Sequence, residues 1–214
     1  MKISGGQSDE DIIVGNTYDK YQTNNIIAKM LVKGFVDTVD KLIGAIKPQS
    51  IHEVGCGEGF WCIRLIKKGY NVKGSDFSPS VISIAQENAS SAGIKDDLFE
   101  VTSIYELSQE HDKSALIICL EVLEHLEHPE LALDVLSKVA TQDLILSVPS
   151  EPLWRILNIC RGKYLFDLGN TPGHINHWSP NLFLKLVGQY FDIISVHKPL
   201  PWTIVHCRIK NLEG

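Results

Sequence analysis

The sequence predicts an α/β protein with a mostly parallel sheet covered by helices on both faces. Three observations carry this expectation. Short apolar runs alternate with stretches of helical periodicity along the 214-residue chain, the pattern of a layered sheet. The first run ends in Gly55-Cys56-Gly57-Glu58-Gly59, and a helical pattern follows at once. The last two runs lie close together and read as an antiparallel hairpin.

Each element has its own local signal. Residues 1–16, polar at first and rich in Gly and Ser, read as a mobile lead-in. Ile27, Met30, Leu31, Phe35, Val39, Leu42 and Ile46 recur at helical spacing and predict a helix over 24–46, ended by Pro48. Residues 51–54 form the first strand and 59–68 the first helix after it, stopped by Gly69. The second strand spans 70–75 and ends at Asp76. Ser78-Pro79 starts a helix with serine as N-cap and proline at the first helical position, and Gly93 suits its end. Strands follow over 98–101 and 115–120, a helix over 129–140, and a strand over 144–148 ended by Pro149. Ser179-Pro180 repeats the helix-start signal for a helix to Tyr190. Residues 191–197 and 203–209 are the last two strands, joined across Pro199 and Pro201.

Composition narrows the class. Hydrophobic residues make up 44% and charged residues 21%, ordinary values for a globular domain. The formal net charge is −6, with no basic stripe, which disfavours a nucleic-acid partner. Five cysteines without a C-x-x-C pair suit reduced thiols and a cytoplasmic setting. Neither a signal peptide nor a membrane span is expected.

Glycines are needed where a chain turns tightly and a ligand lies against bare main chain. The amides opening the next helix then face that ligand, as in a Rossmann-like sheet. The spacing here is Gly55-x-Gly57-x-Gly59, not the G-x-G-x-x-G of dinucleotide binders. Asp76 lies 21 residues after Gly55, at a strand end, where an acid accepts hydrogen bonds from ribose hydroxyls. With Glu53 before the glycines, the stretch resembles the E-x-G-x-G motif of class I S-adenosylmethionine (SAM)-dependent methyltransferases. Gly74-Ser75-Asp76-Phe77-Ser78-Pro79 looks like their second motif. Cys119-Leu120-Glu121-Val122-Leu123-Glu124-His125 resembles a segment of the methyltransferases of ubiquinone and related pathways.

The resemblance implies a Rossmann-like three-layer sandwich with seven strands and a C-terminal antiparallel hairpin, in one domain spanning 1–214. SAM is the implied cofactor. Its implied contacts are Tyr21, Glu53, Gly55, Cys56, Gly57, Asp76, Phe77, Ser103, Ile104, Cys119 and Leu120. Phe77 packs on the adenine in that scheme. Ser103 and Ile104 stand where relatives often carry an aspartate. The segment 1–48 is implied to form a helical lid over the cofactor.

Glu121, Glu124, His125 and His128 have helix-face spacing. In the ubiquinone-pathway relatives the matching two glutamates and histidine have been assigned to a divalent metal, here Glu121, Glu124 and His125. The metal-free reading is preferred, because relatives with the same segment work without one.

Residues 149–178 are longer than an ordinary connection and read as a substrate-side insertion. Within it 151–161 look like an apolar helix. Trp154, Ile156 and Trp178 are candidates to line an acceptor chamber, with Tyr18 from the segment that precedes the first helix. Arg155, Arg161 and Lys163 are candidates to meet an anion. A packed helix with solvated charges is the alternative. His174-x-x-His177 lacks a third ligand pair nearby, which disfavours zinc. His125, His174 and His177 are the candidate general bases, with backbone hydrogen bonding the alternative role.

The expected function is methyl transfer from SAM to a small-molecule or lipid-like acceptor at O or N. A non-catalytic SAM-binding protein is one rival. A nicotinamide-dependent oxidoreductase is the other, disfavoured by the glycine spacing.

Overall fold

A computed structural model describes residues 1–6, 8–9, 12–13, 15, 25–160, 164 and 167–210. Seven strands form one sheet: β1 (Ile51–Val54), β2 (Val72–Asp76), β3 (Phe99–Val101), β4 (Ser114–Leu120), β5 (Ala140–Pro149), β6 (Phe191–His197) and β7 (Trp202–Ile209). Their order is β3-β2-β1-β4-β5-β7-β6. β7 runs antiparallel to both β5 and β6, and the other strand pairs are parallel. Six strands therefore share one direction. The chain winds outward from β1 to β3, then returns to start β4 on the other side of β1. That reversal opens a crevice between the carboxyl ends of β1 and β4, where open α/β sheets hold ligands.

Helices α1 (Ile26–Ile46), α2 (Phe60–Ile66) and α3 (Pro79–Ser91) cover one face, and α4 (Pro129–Val139) and α6 (Pro180–Tyr190) the other; α5 (Leu153–Cys160) follows β5. Each layer has its own core. α1 contributes Phe35, Val36, Val39, Leu42 and Ile43 to the first. α4 contributes Ala132, Leu133, Leu136 and Val139 to the second. Burying each large aliphatic side chain is worth about 1.5–3 kcal/mol, far more than the helix propensity of any one residue. Packing therefore sets these helices, and local caps set their ends. Asn25 accepts from the Ala28 amide at 3.0 Å, and Ser78 from the Val81 amide at 3.2 Å.

Two expectations are corrected. The lead-in is held at its start. The Asn88 amide group brackets Lys2, accepting from its N–H at 2.8 Å and donating to its carbonyl at 2.9 Å. Glu58 Oε1 accepts from the N–H of Ser4 at 3.1 Å and from its hydroxyl at 3.0 Å. Ser8–Asp9 then pairs antiparallel with Ile12–Ile13. Asn88 and Glu58 lie far along the chain, so local composition carries no sign of their bonds to Lys2 and Ser4. β5 also begins four residues earlier than expected. Asp143 lies before the expected strand, yet it is buried by cross-strand partners: His206 Nε2 at 2.8 Å and Arg208 at 3.2 Å. Tyr18, Tyr21, Arg161 and Lys163, and the start of the expected first helix at residue 24, lie outside the described residues.

Candidate functional site

The loop after β1 is shaped by its glycines. Gly55, Gly57 and Gly59 have φ of 73°, 53° and 81°, a region L-residues enter at a cost. A β-carbon on Gly55 would lie 2.4 Å from Val122 Cγ2, and one on Gly59 would lie 2.7 Å from the Phe99 ring. These two glycines permit close packing. Gly57 differs, for a β-carbon there meets nothing within 4 Å. Its main chain faces open space, as a ligand cradle requires.

Two carboxylates hold this loop. Glu53 is 4% exposed, and its Oε2 accepts from the Cys62 amide in the first turn of α2 at 2.9 Å. It caps the helix and fixes the loop from within. Asp76 reaches across from β2: Oδ2 accepts from the Gly57 amide at 3.0 Å and Oδ1 from the Ser78 amide at 3.1 Å. Burial raises its pKa, and the backbone donors, Ser78 first, oppose that shift. Phe77 is 43% exposed beside it, leaving an aromatic face free for a planar ligand. Cys56 is buried, and burial pushes its thiol pKa well up, keeping it neutral. Ile104 is buried at the end of the β3 connection, while the Ser103 hydroxyl accepts from the Tyr105 amide at 3.4 Å.

On the other side of the crevice, Cys119 and Leu120 end β4, buried among the second and first cores respectively. Glu121 follows with a φ of 61°. Its amide meets the carbonyl and hydroxyl of Ser147, each at 3.2 Å, and its carboxylate accepts from Trp202 Nε1 at 2.6 Å. A short 3₁₀ turn over Leu123–His125 comes next. The Glu124 carbonyl accepts from the amides of Ile175 and Asn176, both at 3.0 Å, tying the turn to the insertion.

The three candidate metal ligands do not gather as their spacing suggested. Glu121 is taken up by Trp202 and Ser147. His174 instead joins Glu124 and His125, and one ligand atom from each lies within 4.8 Å of the others. The His125 and His174 rings meet edge to face at 4.8 Å, and His174 stacks on Trp154 at 5.9 Å. His125 Nδ1 lies 2.9 Å from the Gly173 carbonyl. A carbonyl only accepts, so Nδ1 carries the proton and Nε2 of the neutral ring keeps its lone pair. Two imidazoles and a carboxylate suit a borderline divalent cation, so these residues fit one.

The insertion divides. Trp154 sits among Trp202 at 5.8 Å and His174, with its Nε1 donating to Thr171 Oγ1 at 2.8 Å. Trp178 does not share that wall; it packs on Phe183 at 5.7 Å in the second core. Arg155 approaches Glu151, in the turn before its helix, at 3.9 Å. His177 Nε2 lies 2.7 Å from Asn170 Oδ1, and burial followed by Arg155 lowers its pKa. The H-x-x-H pair is therefore split between two environments. Sequence reading missed Trp202, Ser147 and Gly173. Trp202 had one signal, an aromatic residue opening a strand after Pro201.

A mostly parallel sheet with a glycine cradle, an acid on the next strand and a crevice at the strand reversal defines an α/β protein of the nucleotide-cofactor-binding class. The family described as "Methyltransferase domain" matches residues 48–158. The chain is 31% identical to the ubiquinone biosynthesis O-methyltransferase of Coxiella burnetii (strain RSA 331 / Henzerling II) over 165 residues, 71% of this chain and 68% of that protein. It is 22% identical to the enzyme of that name from Aeromonas salmonicida (strain A449), covering 62% of this chain and 57% of that protein. The chain thus spans little more than half of the Aeromonas relative. Among solved structures, magnesium protoporphyrin IX methyltransferase from Synechocystis PCC 6803 with bound SAM has a TM-score of 0.65 at 21% identity, covering 90% of this chain and 88% of that one. N-methyltransferase NodS from Bradyrhizobium japonicum WM9 has a TM-score of 0.61 at 16% identity, covering 85% and 97%. The chain belongs to the methyltransferase-domain family. No helix among the described residues is long and apolar enough to cross a membrane.

Proposed function

We propose that this domain transfers a methyl group from SAM to a small-molecule or lipid-like acceptor, at oxygen or nitrogen. The observation that carries this reading is the open main chain at Gly57, bonded to Asp76, at the strand reversal. Bound SAM supplies an electrophilic methyl on a sulfonium, so the protein's task is alignment, exclusion of water and, for a hydroxyl acceptor, removal of a proton.

The chain's residues divide that work. Asp76 and the loop from Gly55 to Gly59 bind the nucleoside end, with Phe77 as an aromatic contact. The backbone after Leu120 borders the methionine end. Trp154, Trp202 and His174 wall the acceptor side with ring faces. His125 is the base best placed for an O-acceptor, because the Gly173 carbonyl fixes its tautomer with the proton on Nδ1 and the acceptor lone pair on Nε2. A divalent cation would be held by Glu124, His125 and His174, and would lower the pKa of an acceptor hydroxyl. The proposed reaction does not require it.

The test has two arms. Calorimetric titration with SAM, S-adenosylhomocysteine (SAH) and NAD reads cofactor choice. Labelled SAM with phenols, catechols, amines and carboxylic acids of varied apolar content reads transfer. Binding of SAM with label appearing in an acceptor supports the reading. SAM binding with no transfer to any class favours a non-catalytic SAM-binding protein, and NAD binding without SAM overturns the assignment.

A further inference from the structure

We propose that Glu121 and Trp202 form a positioning pair that sets the loop after β4, and that Glu121 is neither a base nor a metal ligand. The proposal rests on the SAM-binding reading above. Three observations converge on it. First, both carboxylate oxygens of Glu121 are engaged: Oε2 accepts from Trp202 Nε1 at 2.6 Å and Oε1 from the Ser147 hydroxyl at 3.3 Å. A short indole-to-carboxylate bond is charge-assisted and strongly directional. Second, Glu121 holds a left-handed backbone, φ 61°, immediately after β4. A non-glycine residue persists there only where its surroundings over-determine it, and such residues cluster at functional sites. Third, Trp202 is itself fixed. It is 6% exposed, lies 4.9 Å from the Phe35 ring and 5.8 Å from Trp154, and opens β7 opposite Pro149.

The pair therefore ties the end of β4 to β5, β7, α1 and α5 at one point. Its position explains what it controls. Leu120 precedes Glu121, on the cofactor side of the crevice. Val122 follows and contacts Gly55 so closely that a β-carbon there would lie 2.4 Å from it. Glu124 and His125 come next, beside His174. A change in the Glu121 backbone is transmitted to the glycine cradle through Val122 and to the histidines through the 3₁₀ turn. The indole–carboxylate bond thus sets cofactor affinity and the His125 position together.

The experiment measures SAH affinity by calorimetry and methyl transfer by kcat and KM in four proteins: wild type, Glu121→Gln, Glu121→Ala and Trp202→Phe. Glutamine keeps a carbonyl acceptor for Trp202 and an amide donor for the Ser147 hydroxyl, but loses the charge that a metal ligand or base needs. Phenylalanine removes the donor and keeps one aromatic ring, but it is smaller than indole and loses some packing against Phe35 and Trp154. The expected result is that Glu121→Gln stays within about threefold of wild type. Glu121→Ala and Trp202→Phe should each weaken SAH binding about tenfold or more, the scale of one charge-assisted bond, and lower kcat as well. Thermal unfolding is followed in parallel. Lower melting temperature with unchanged SAH affinity in Trp202→Phe would mean a purely structural contact and overturns the proposal. Loss of activity in Glu121→Gln equal to that in Glu121→Ala would mean that the charge matters and also overturns it. Wild type failing to bind SAH would reject the SAM reading instead, so the two failures are distinct.

Discussion

The Gly57 amide donates to Asp76 Oδ2 across 3.0 Å, joining the loop after β1 to the end of β2. The same carboxylate accepts from Ser78 at the start of α3. Asp76 is thus both the candidate ribose acceptor and the clamp on the loop proposed to carry the cofactor. Asp76→Ala is expected to weaken SAM binding by about 1–3 kcal/mol, the scale for losing hydrogen bonds to a charged acceptor. Asp76→Asn should lose less, because one acceptor oxygen remains. A folded Asp76→Ala protein that titrates with wild-type affinity would remove Asp76 from the ribose site.

The three glycines separate by what surrounds them. Gly55→Ala drives a methyl into Val122, and Gly59→Ala drives one into Phe99. Both should lower stability as well as affinity. Gly57 has open space around it and only a φ of 53° against a side chain. Gly57→Val should therefore fold with a modest stability loss and fail to bind SAM, since its side chain fills the cradle. Calorimetry and thermal unfolding on one sample separate the two effects. Normal SAM binding by the valine variant would place the cofactor elsewhere.

Acid sensitivity has an identifiable source in β1. His52 is 1% exposed between Asp112 and Ser75. Its Nδ1 lies 3.4 Å from the Asp112 carbonyl, so Nε2, 2.9 Å from Ser75 Oγ, accepts that hydroxyl's proton. Burial first, and then the charge on Lys73, lower its pKa from 6.5 to about 4. The unfolded chain therefore binds a proton that the folded chain refuses. This contribution is fully present above about pH 6.5 and is lost as pH falls towards 4, by about 3 kcal/mol in all. Denaturant unfolding at pH 7 and pH 4.5 should show wild type losing about 2–3 kcal/mol more than His52→Gln, which has no proton to gain. Equal losses would mean that His52 does not carry the acid sensitivity.

Local chemistry made part of this protein readable in its sequence. The Gly55–Gly59 loop, the Ser78-Pro79 start and the Asp76 strand end each carry their signal within a few residues, and α3 spans the expected residues 79–91. The family resemblance implied the terminal strand pair. The proposed acceptor side was not readable in that way. Trp202 meets Glu121 across 81 positions, and His174 meets His125 across 49. Such contacts depend on β7 running antiparallel beside β5 and on the insertion folding back over the 3₁₀ turn. Helix-face spacing over Glu121, Glu124 and His125 failed because one turn of 3₁₀ helix and a left-handed residue stand where the pattern assumed an α-helix.

The Glu124–His125–His174 cluster separates a proton-transfer site from a metal site. Its side chains fit a divalent cation, but each also has a role without one: the Glu124 backbone anchors the insertion, His125 is oriented by Gly173, and His174 stacks on Trp154. The general-base reading makes His125 Nε2 the proton acceptor for a hydroxyl substrate. His125→Asn should then lower kcat about 10²- to 10⁴-fold, with SAH affinity nearly unchanged because the ring does not build the cradle. The loss should be smaller with an amine acceptor supplied neutral, or absent if the amine needs no proton removed before attack. Activity should persist after exhaustive chelation. Metal content and Mn²⁺ titration of wild type and His174→Ala give a readout independent of turnover. If chelation abolishes transfer and Mn²⁺ restores it in wild type but not in His174→Ala, with metal binding lost in step, the cluster is a metal centre and the metal-free reading fails.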